Sequence, residues 1–548
     1  MKRLSRIRLS HHSLAALLAL YFATIINLPI YLELKQIFAD SPHVSVLFAI
    51  SIPLFFWAVF NLLLQLMSWP YLAKPILALL TFIAGALCFG SLSYGLVYDT
   101  NMLINAMETN TSEAGSYQSW NLWIWIFFLG ILPALLILVI PLQKPASVGG
   151  FLLKKLGMIA LSLVIVGIIA ALCYKDYASV GRNNSYLREM IIPNEFIYSG
   201  YKLARDELKT PDPFKQIGTD AAQEPAALSA EKPSLLVLMI GETARSQNVS
   251  YYGYERDTTP FTRPLDPIVI GPVESCGTAT ATSLPCMLSL LGRNEYDRDV
   301  ALNQDNVLAV LKRAGVDVTW IDNDGGDKRQ ASGITDSRID NSVKTINCSG
   351  TSCFDQIMVD EMPKAIQAMS GNRVLVLHLI GSHGPTYFER YPKNMEAFTP
   401  ACPRSDIDNC TSEQIVNTYD NTIRYTDFIN AEVIKYLKTQ EAQFDVSAVY
   451  LSDHGESLGE NGLYLHGLPY NMAPDTQKRV PMLMWLSEGA QKRLGVDEAH
   501  PPESLLHQDQ PAKSVLPAER LHRGHHQRVG AGDDRRHHVH AHRWRGAT

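Results

Sequence analysis

Glu242, His383, Asp453 and His454 each follow a short apolar run, and that shared placement points to chemistry. Residues 235–240 lead into Gly241-Glu242-Thr243, and residues 374–380 into Gly381-Ser382-His383-Gly384. Residues 446–451 lead into Ser452-Asp453-His454-Gly455-Glu456. If the runs are parallel strands, their carboxyl ends meet at the edge where open α/β sheets bind ligands. A carboxylate from one strand and an Asp-His pair from another suit zinc, which takes oxygen and imidazole ligands. His466, in Tyr464-Leu465-His466-Gly467, follows His454 by twelve residues on a glycine-flanked loop and is expected at the same rim. Taken singly, an Asp-His pair is an ordinary capping feature and His383 an ordinary loop histidine. Their common position at strand ends is what separates them from that background.

A second segment supplies hydroxyls. Ser275-Cys276-Gly277-Thr278-Ala279-Thr280-Ala281-Thr282-Ser283-Leu284-Pro285-Cys286 leads into the helical-looking run of residues 287–291. A hydroxyl at a helix N-terminus faces unpaired N–H groups and the positive end of the dipole, which together cradle phosphate. Simple N-capping by Thr or Ser would need no chemistry. A threonine becomes a competent nucleophile only when a base or a metal activates its hydroxyl, and zinc would supply that activation.

The elements that must position these residues alternate. Residues 235–240, 316–321, 374–380, 446–451 and 480–486 read as strands, and 306–312, 355–369 and 412–438 as helices. Strands alternating with helices predict a parallel α/β sheet. Ahead of it lie five uncharged stretches at residues 11–32, 44–67, 75–98, 120–142 and 156–174. Each has about the 20 apolar residues that a bilayer crossing requires. Lys2, Arg3, Arg6 and Arg8 precede the first stretch, Lys144, Lys154 and Lys155 separate the last two, and residues 99–119 contain no Lys or Arg. The positive-inside rule therefore puts the N-terminus in the cytoplasm and everything after the fifth crossing on the opposite side.

The cysteines give an independent test of that topology. Cys88 and Cys173 lie inside apolar stretches, while Cys276, Cys286, Cys348, Cys353, Cys402 and Cys410 follow the last crossing as three pairs of near neighbours. Sequence leaves the pairing open, neighbour pairing being the simplest, and none shows the spacing of a structural zinc site. Disulfides there imply an oxidising compartment such as a periplasm. The formal net charge of -6 carries no polybasic signature, so nucleic acid is excluded as a partner.

The expected division is a transmembrane domain over 1–175, a membrane-surface linker with amphipathic helices over 176–231, a catalytic α/β domain over 232–500, and a tail over 501–548. The tail holds eight of the sixteen histidines and has no apolar periodicity. A frameshift past codon 500 is the preferred account, with a His-rich metal-binding tail as its rival; translating the other reading frames tests it.

Together, Glu242, the 275–286 segment, Gly381-Ser382-His383-Gly384-Pro385, Ser452-Asp453-His454-Gly455-Glu456-Ser457 and Tyr464-Leu465-His466-Gly467 resemble the lipid A phosphoethanolamine transferases. That family includes the mobile colistin-resistance enzymes, and its soluble half resembles the alkaline phosphatase and sulfatase fold. The likeness covers residues 10 to 490. It implies a five-helix transmembrane domain in the inner membrane followed by a periplasmic α/β domain with a largely parallel sheet. It further implies Thr280 as the nucleophile, with Glu242, Asp453 and His454 joining it as ligands of a catalytic zinc. His383 and His466 match positions that bind the substrate phosphoryl group or a second zinc, assisted by His378. Lys328 matches a substrate-contacting lysine, and Asn105, Thr109 and Glu113, at spacing four, match contacts to the ethanolamine head group. That spacing puts the three on one helix face.

The implied reaction moves phosphoethanolamine from phosphatidylethanolamine to lipid A through a phosphothreonine, which masks surface negative charge and so weakens polymyxin and colistin binding. The rival readings are a zinc-threonine phosphoglycerol transferase, a sulfatase-like hydrolase, or a chain inactivated by its tail, since the family continues past residue 500 with an ordered segment that this tail does not resemble.

Overall fold

A computed structural model describes residues 8–39, 44–109, 114–115, 117–209, 213–342, 344–350 and 352–496. Lys2, Arg3, Arg6, Glu113 and the 501–548 tail lie outside the described residues.

The N-terminal half is helical. Helices α3 (Val46–Met67), α4 (Ala73–Tyr94), α6 (Trp120–Val139) and α7 (Val148–Asn183) are each long and apolar enough to cross a membrane. The first apolar stretch is a bent pair, α1 (His11–Tyr21, continued to Ile26 by a π-turn) and α2 (Leu28–Ala39), which makes a fifth span if counted as one. Its 51° bend falls at Asn27, whose side chain is buried. The amide donates to the carbonyls of Phe22 (2.9 Å) and Ile192 (2.6 Å) and accepts from the Ile192 N–H (2.8 Å). Backbone groups released by a break inside a membrane helix must find such partners, because lipid offers none. The last span runs on as helix to Asn183, past the apolar stretch that ends at Tyr174, because helical hydrogen bonding does not depend on hydropathy. Shorter helices follow the crossings, among them α5 (Thr100–Glu108) after the third and α8 (Asn194–Glu207) after the fifth.

The second half is a three-layer α/β/α unit. Its strands are β1 (Ser234–Gly241), β2 (Ile268–Glu274), β3 (Asp317–Asp322), β4 (Thr335–Arg338), β5 (Arg373–His378), β6 (Asp445–Ser452) and β9 (Arg479–Leu486), in the order β2-β9-β6-β1-β5-β3-β4. Strands β6, β1, β5, β3 and β4 are mutually parallel, whereas at one edge β9 pairs antiparallel with β6 and β2 antiparallel with β9. A small hairpin, β7 (Ser457–Leu458) with β8 (Tyr464–Leu465), stands apart from this sheet.

β1 is wholly apolar because it is buried on both faces. Leu235, Val237 and Met239 pack into one core with helices α11 (Gln356–Ala368) and α12 (Ser412–Gln440). Leu236, Leu238 and Ile240 alternate into the opposite core with α9 (Thr280–Leu288) and α10 (Val307–Arg313). The period of two along a strand makes that division automatic. The central position of β1 and the parallel register put the carboxyl ends of β1, β3, β5 and β6 side by side.

The halves touch where chemistry is expected. α5 packs on α9, and Glu108 at the end of α5 pairs with Arg298. Phe89 and Tyr94 of α4 join a buried cluster with Tyr419, Leu458 and Leu465.

Candidate active site

Glu242 stands one residue past β1, and its surroundings are built for close approach. Thr243 holds φ +60°, a left-handed conformation that costs a non-glycine residue energy and clusters at functional sites. In return the Thr243 hydroxyl donates to Glu242 Oε1 (2.6 Å) and its N–H to Asp453 Oδ1 (3.3 Å). Gly381, at φ +49°, lies so close that a Cβ there would meet the Glu242 carbonyl oxygen at 2.6 Å. Only glycine permits the β1 and β5 loops to touch. Asp355 fixes the β5 loop, accepting from the Ile380 and Gly381 N–H groups at 2.9 Å each.

Thr280 is the first residue of α9, which begins in the hydroxyl-rich segment itself and ends at Leu288, rather than starting at residue 287 as the sequence suggests. The N-cap residue is Ala279 and makes no side-chain cap. The Thr280 hydroxyl is therefore not spent on capping. It donates to Glu242 Oε2 (3.0 Å) and lies 3.4 Å from His454 Nε2. A Cys276–Cys286 disulfide brackets the segment, and the Ser283 hydroxyl donates to the Asp453 carbonyl at 2.5 Å.

His454 Nε2 also lies 3.3 Å from Glu242 Oε1 and 3.4 Å from Asp453 Oδ2. Glu242, Asp453 and His454 are fully buried. His466 reaches the centre from the β7–β8 hairpin, its ring centroid 4.4 Å from that of His454, while Glu456 Oε2 lies 3.3 Å from its Nδ1. The Gly467 N–H donates to the Thr278 carbonyl (2.7 Å), and the Thr278 hydroxyl donates to the Leu468 carbonyl (2.6 Å), so the His466 loop and the threonine segment are laced together. His383 Nδ1 faces Glu242 Oε1 (3.4 Å) from the other side.

These groups act on one another. Burial alone would raise the Glu242 carboxyl, but the charges of His454 and His383 outweigh it and hold it well below the usual carboxylate range. Asp453 goes the other way, pushed up to about 8 by burial and then by the charge of Glu242. Apart from His454 Nε2 at 3.4 Å, Asp453 Oδ2 is a buried oxygen with no hydrogen-bond partner among the described residues. A buried carboxylate left in that state is costly unless a cation compensates it. Among the described residues, two sets of side chains offer ligand atoms within 4.8 Å of one another: Glu242, His454 and His466, and Glu242, Asp324 and His383. The donor set fits a metal ion of the type that takes oxygen and imidazole ligands.

Sequence reasoning missed Asp324. It follows β3, with Oδ1 3.2 Å from His383 Nδ1, and it is buried. The signal was Asp322-Asn323-Asp324-Gly325-Gly326 at the carboxyl end of a fourth strand, the same rule that found the other three. His378 sits behind it, fully buried, its Nδ1 2.7 Å from Asp322 Oδ1 and its Nε2 3.8 Å from Asp324 Oδ2. The result is an alternating chain of carboxylates and imidazoles from Asp322 to Glu242. Lys328 lies half-buried four residues beyond Asp324 on the same loop, with φ +48°. Asn105 lies in α5, but Thr109 is the extended residue that ends it, so the single helix face expected from the spacing stops at Glu108; both residues are half-buried, and the Thr109 hydroxyl donates to the Asn105 carbonyl (2.8 Å).

Comparisons with known proteins cover both halves. Residues 56–208 match the family described as phosphoethanolamine transferase EptA/EptB, and residues 234–515 match Sulfatase. Phosphoethanolamine transferase EptA of Escherichia coli (strain K12) is 39% identical over 88% of this chain and 88% of its own length. Phosphatidylethanolamine transferase Mcr-1 of Escherichia coli is 36% identical over 86% and 89% respectively. Among solved structures, the integral membrane protein lipooligosaccharide phosphoethanolamine transferase A (EptA) from Neisseria meningitidis superposes with a TM-score of 0.85 at 33% identity, covering 90% of this chain and 91% of that one.

Proposed function

Since the chain belongs to the EptA/EptB phosphoethanolamine transferases, and is thus an integral membrane enzyme with a soluble C-terminal domain, we propose that it moves phosphoethanolamine from phosphatidylethanolamine to lipid A through a phosphothreonine on Thr280. The observation that carries this reading is the Thr280 hydroxyl, uncapped and hydrogen-bonded to Glu242 within reach of His454.

Glu242, Asp453, His454 and the Thr280 oxygen would hold zinc. Bound there, zinc lowers the pKa of a hydroxyl and offsets negative charge on a transferring phosphoryl group. The chain's own residues carry the rest. Glu242 Oε2 accepts the Thr280 proton, and Oγ1 attacks phosphorus. The bond from phosphorus to the diacylglycerol oxygen breaks, and diacylglycerol leaves with the proton that Glu242 took from Thr280. In the second half-reaction a lipid A phosphate or sugar hydroxyl attacks the same phosphorus, the bond to Thr280 breaks, and the threonine regains its proton. The first-turn N–H groups of α9, with His383 and His466, face the phosphoryl oxygens. Lys328 contacts the donor, as do Asn105, Thr109 and Glu113 at its head group.

The same reading puts the chain in the inner membrane with residues 232–500 in the periplasm. The Lys and Arg distribution supports it, as do the Cys276–Cys286, Cys348–Cys353 and Cys402–Cys410 disulfides, which need an oxidising compartment. The divisions at 1–175, 176–231 and 501–548 belong to the same proposal. Masking of lipid A charge would lower susceptibility to polymyxin and colistin.

Intact-mass and peptide analysis tests the scheme. Zinc-loaded protein incubated with phosphatidylethanolamine should gain one phosphoethanolamine group on the Thr280 peptide, and no adduct would refute it. Turnover without any lipid acceptor would instead indicate a hydrolase.

Asp324 is read as the carboxylate that orients His383. Asp324→Asn keeps the shape and removes the charge. Transfer should fall by about 10- to 100-fold, the usual effect of removing an orienting partner of a site imidazole. Steady-state rates indistinguishable from the parent protein would exclude the role.

A further inference from the structure

Asp453 and Asp324 are not the only buried carboxylates at the centre. Each of those two has an imidazole nitrogen within 3.4 Å, and each has a place: Asp453 in the proposed zinc set, Asp324 beside His383. Glu456 belongs to neither group. Its Oε2 lies 3.3 Å from His466 Nδ1, which accounts for one oxygen as the group that orients that imidazole. Oε1 is buried and has no hydrogen-bond partner among the described residues. The side chain is wholly buried, and no Lys or Arg forms an ion pair with it among those residues. Arg245 donates to the Glu456 backbone carbonyl (3.1 Å), but its own ion pair is with Glu460 (2.6 Å).

A phenol stands close by in the same condition. The Tyr387 hydroxyl is buried and has no hydrogen-bond partner among the described residues. Burial, and after it the charge of Glu456, push this phenol up, so it stays neutral and keeps an oxygen that can accept. It lies against Gly384, where a Cβ would meet the hydroxyl at 2.7 Å, one residue from His383. The ring packs edge-on against Tyr419 with centroids 5.5 Å apart.

We propose that Glu456 Oε1 and the Tyr387 hydroxyl hold the ammonium of the phosphoethanolamine group, first on the donor and then on Thr280. The inference rests on the function proposed above. A buried carboxylate oxygen without a partner calls for a cation, and tyrosine rings favour an ammonium beside them. Reach agrees with charge. The His466 ring lies 4.4 Å from that of His454 by centroid and turns Nδ1 to Glu456. Phosphorus and nitrogen in phosphoethanolamine are four single bonds apart, a span of about 5 Å. A group whose phosphoryl oxygens meet His466 on one edge therefore sets its nitrogen on the Glu456 side of the same ring. Asn105 and Thr109, proposed to meet the head group from α5, carry no charge of their own. Glu456 thus becomes the residue that selects ethanolamine over an uncharged head group such as glycerol.

The test uses the full-length, zinc-loaded protein and two donors. One is phosphatidylethanolamine, and the other is phosphatidyl-n-propanol, in which a methyl group replaces the ammonium. The rate of adduct formation on Thr280 is followed by intact mass. The parent protein should prefer the ethanolamine donor. Glu456→Gln still offers His466 an acceptor, and should cut that preference by about 30-fold, as expected for removing one partner of a buried charge pair. Tyr387→Phe should cut it by about tenfold or less. A residue that only orients His466 would slow both donors alike, so an unchanged ratio in Glu456→Gln would overturn the site. So would a preference lost in Glu113→Gln and kept in Glu456→Gln.

Should the Glu456 variant fail to fold, the structure of the phosphoethanolamine-modified parent protein decides. Nitrogen within hydrogen-bond distance of Glu456 Oε1 is the expected result. Nitrogen elsewhere, or a metal ion bound between Glu456 and His466, overturns the proposal. The two claims fail separately. No adduct on the parent protein from either donor sinks the reaction itself, whereas an adduct formed equally fast from both sinks the ammonium site alone.

Discussion

Thr280→Ala should lower kcat/KM for transfer by on the order of 10⁴-fold or more, the scale set by removing a covalent nucleophile. The expectation follows from geometry. The hydroxyl sits at the first position of α9, hydrogen-bonded to Glu242 Oε2 at 3.0 Å and 3.4 Å from His454 Nε2, and no other hydroxyl is hydrogen-bonded to both of those residues among the described ones. Thr243 reaches Glu242, but through Oε1 and from the strained turn behind it. Because Thr280 caps nothing, the variant should fold normally, losing about 1 kcal/mol or less for the small cavity left by a buried side chain. Thr280→Ser separates chemistry from packing. It keeps the hydroxyl but loses the branched carbon that stiffens χ1, so a loss of about tenfold is expected from the larger rotamer population. Transfer to lipid A measured for both variants, with the Thr280-peptide adduct followed by mass, checks the pair. An alanine variant retaining a hundredth of the parent activity would remove the covalent intermediate from the mechanism.

Glu242→Gln should be the second most damaging change, because Glu242 touches everything else. Its two oxygens meet Thr280, Thr243, His383 and His454. The substitution keeps volume and removes one negative charge from a buried cluster that contains the His383, His454 and His466 imidazoles. Transfer should fall by about 10³-fold or more, combining the lost proton acceptor with weakened metal retention. Zinc affinity should fall at least about 100-fold, more than outer-shell partners cost. Thermal stability offers a readout independent of turnover. With zinc at about 1,000 times Kd the parent gains ~4 kcal/mol by linkage, and a 100-fold weaker site under the same conditions gains only ~1.4. Zinc should therefore shift the melting temperature of the variant much less than that of the parent protein. An equal shift in both would show that Glu242 is no ligand.

Much of this centre was legible because it obeys one rule applied several times. Residues 235–240 are apolar at every position, as a strand with a core on each side must be, and the residue that follows is the one delivered to the site. The same logic applied to β3 would have found Asp324, but an Asp-Asn-Asp-Gly-Gly sequence without a histidine reads as an ordinary turn. β2 and β4 were invisible for another reason. β2 contains Gly271-Pro272, where its register with β9 shifts, and β4 is a four-residue strand exposed throughout. Edge strands of that kind carry little apolar alternation. The onset of α9 was hidden by its composition, since Thr, Ser and an internal Pro285 are weak helix formers and only tertiary packing of Leu284 and Leu288 makes the turn hold. The bend at Asn27 depends on Ile192, 165 residues away, a partner that no local pattern announces.

The short helix between the third and fourth crossings has a consequence for how the enzyme is mounted. α5 is carried by the membrane half, yet one flank rests on the helix that begins with Thr280, and Glu108 grips Arg298 beyond it. The bilayer thus sets the height of α5, and α5 sets the height of the hydroxyl. In the proposed reaction a hydroxyl suspended in this way works at one height above the bilayer, and a substrate that drifts off into the aqueous phase has passed out of its range.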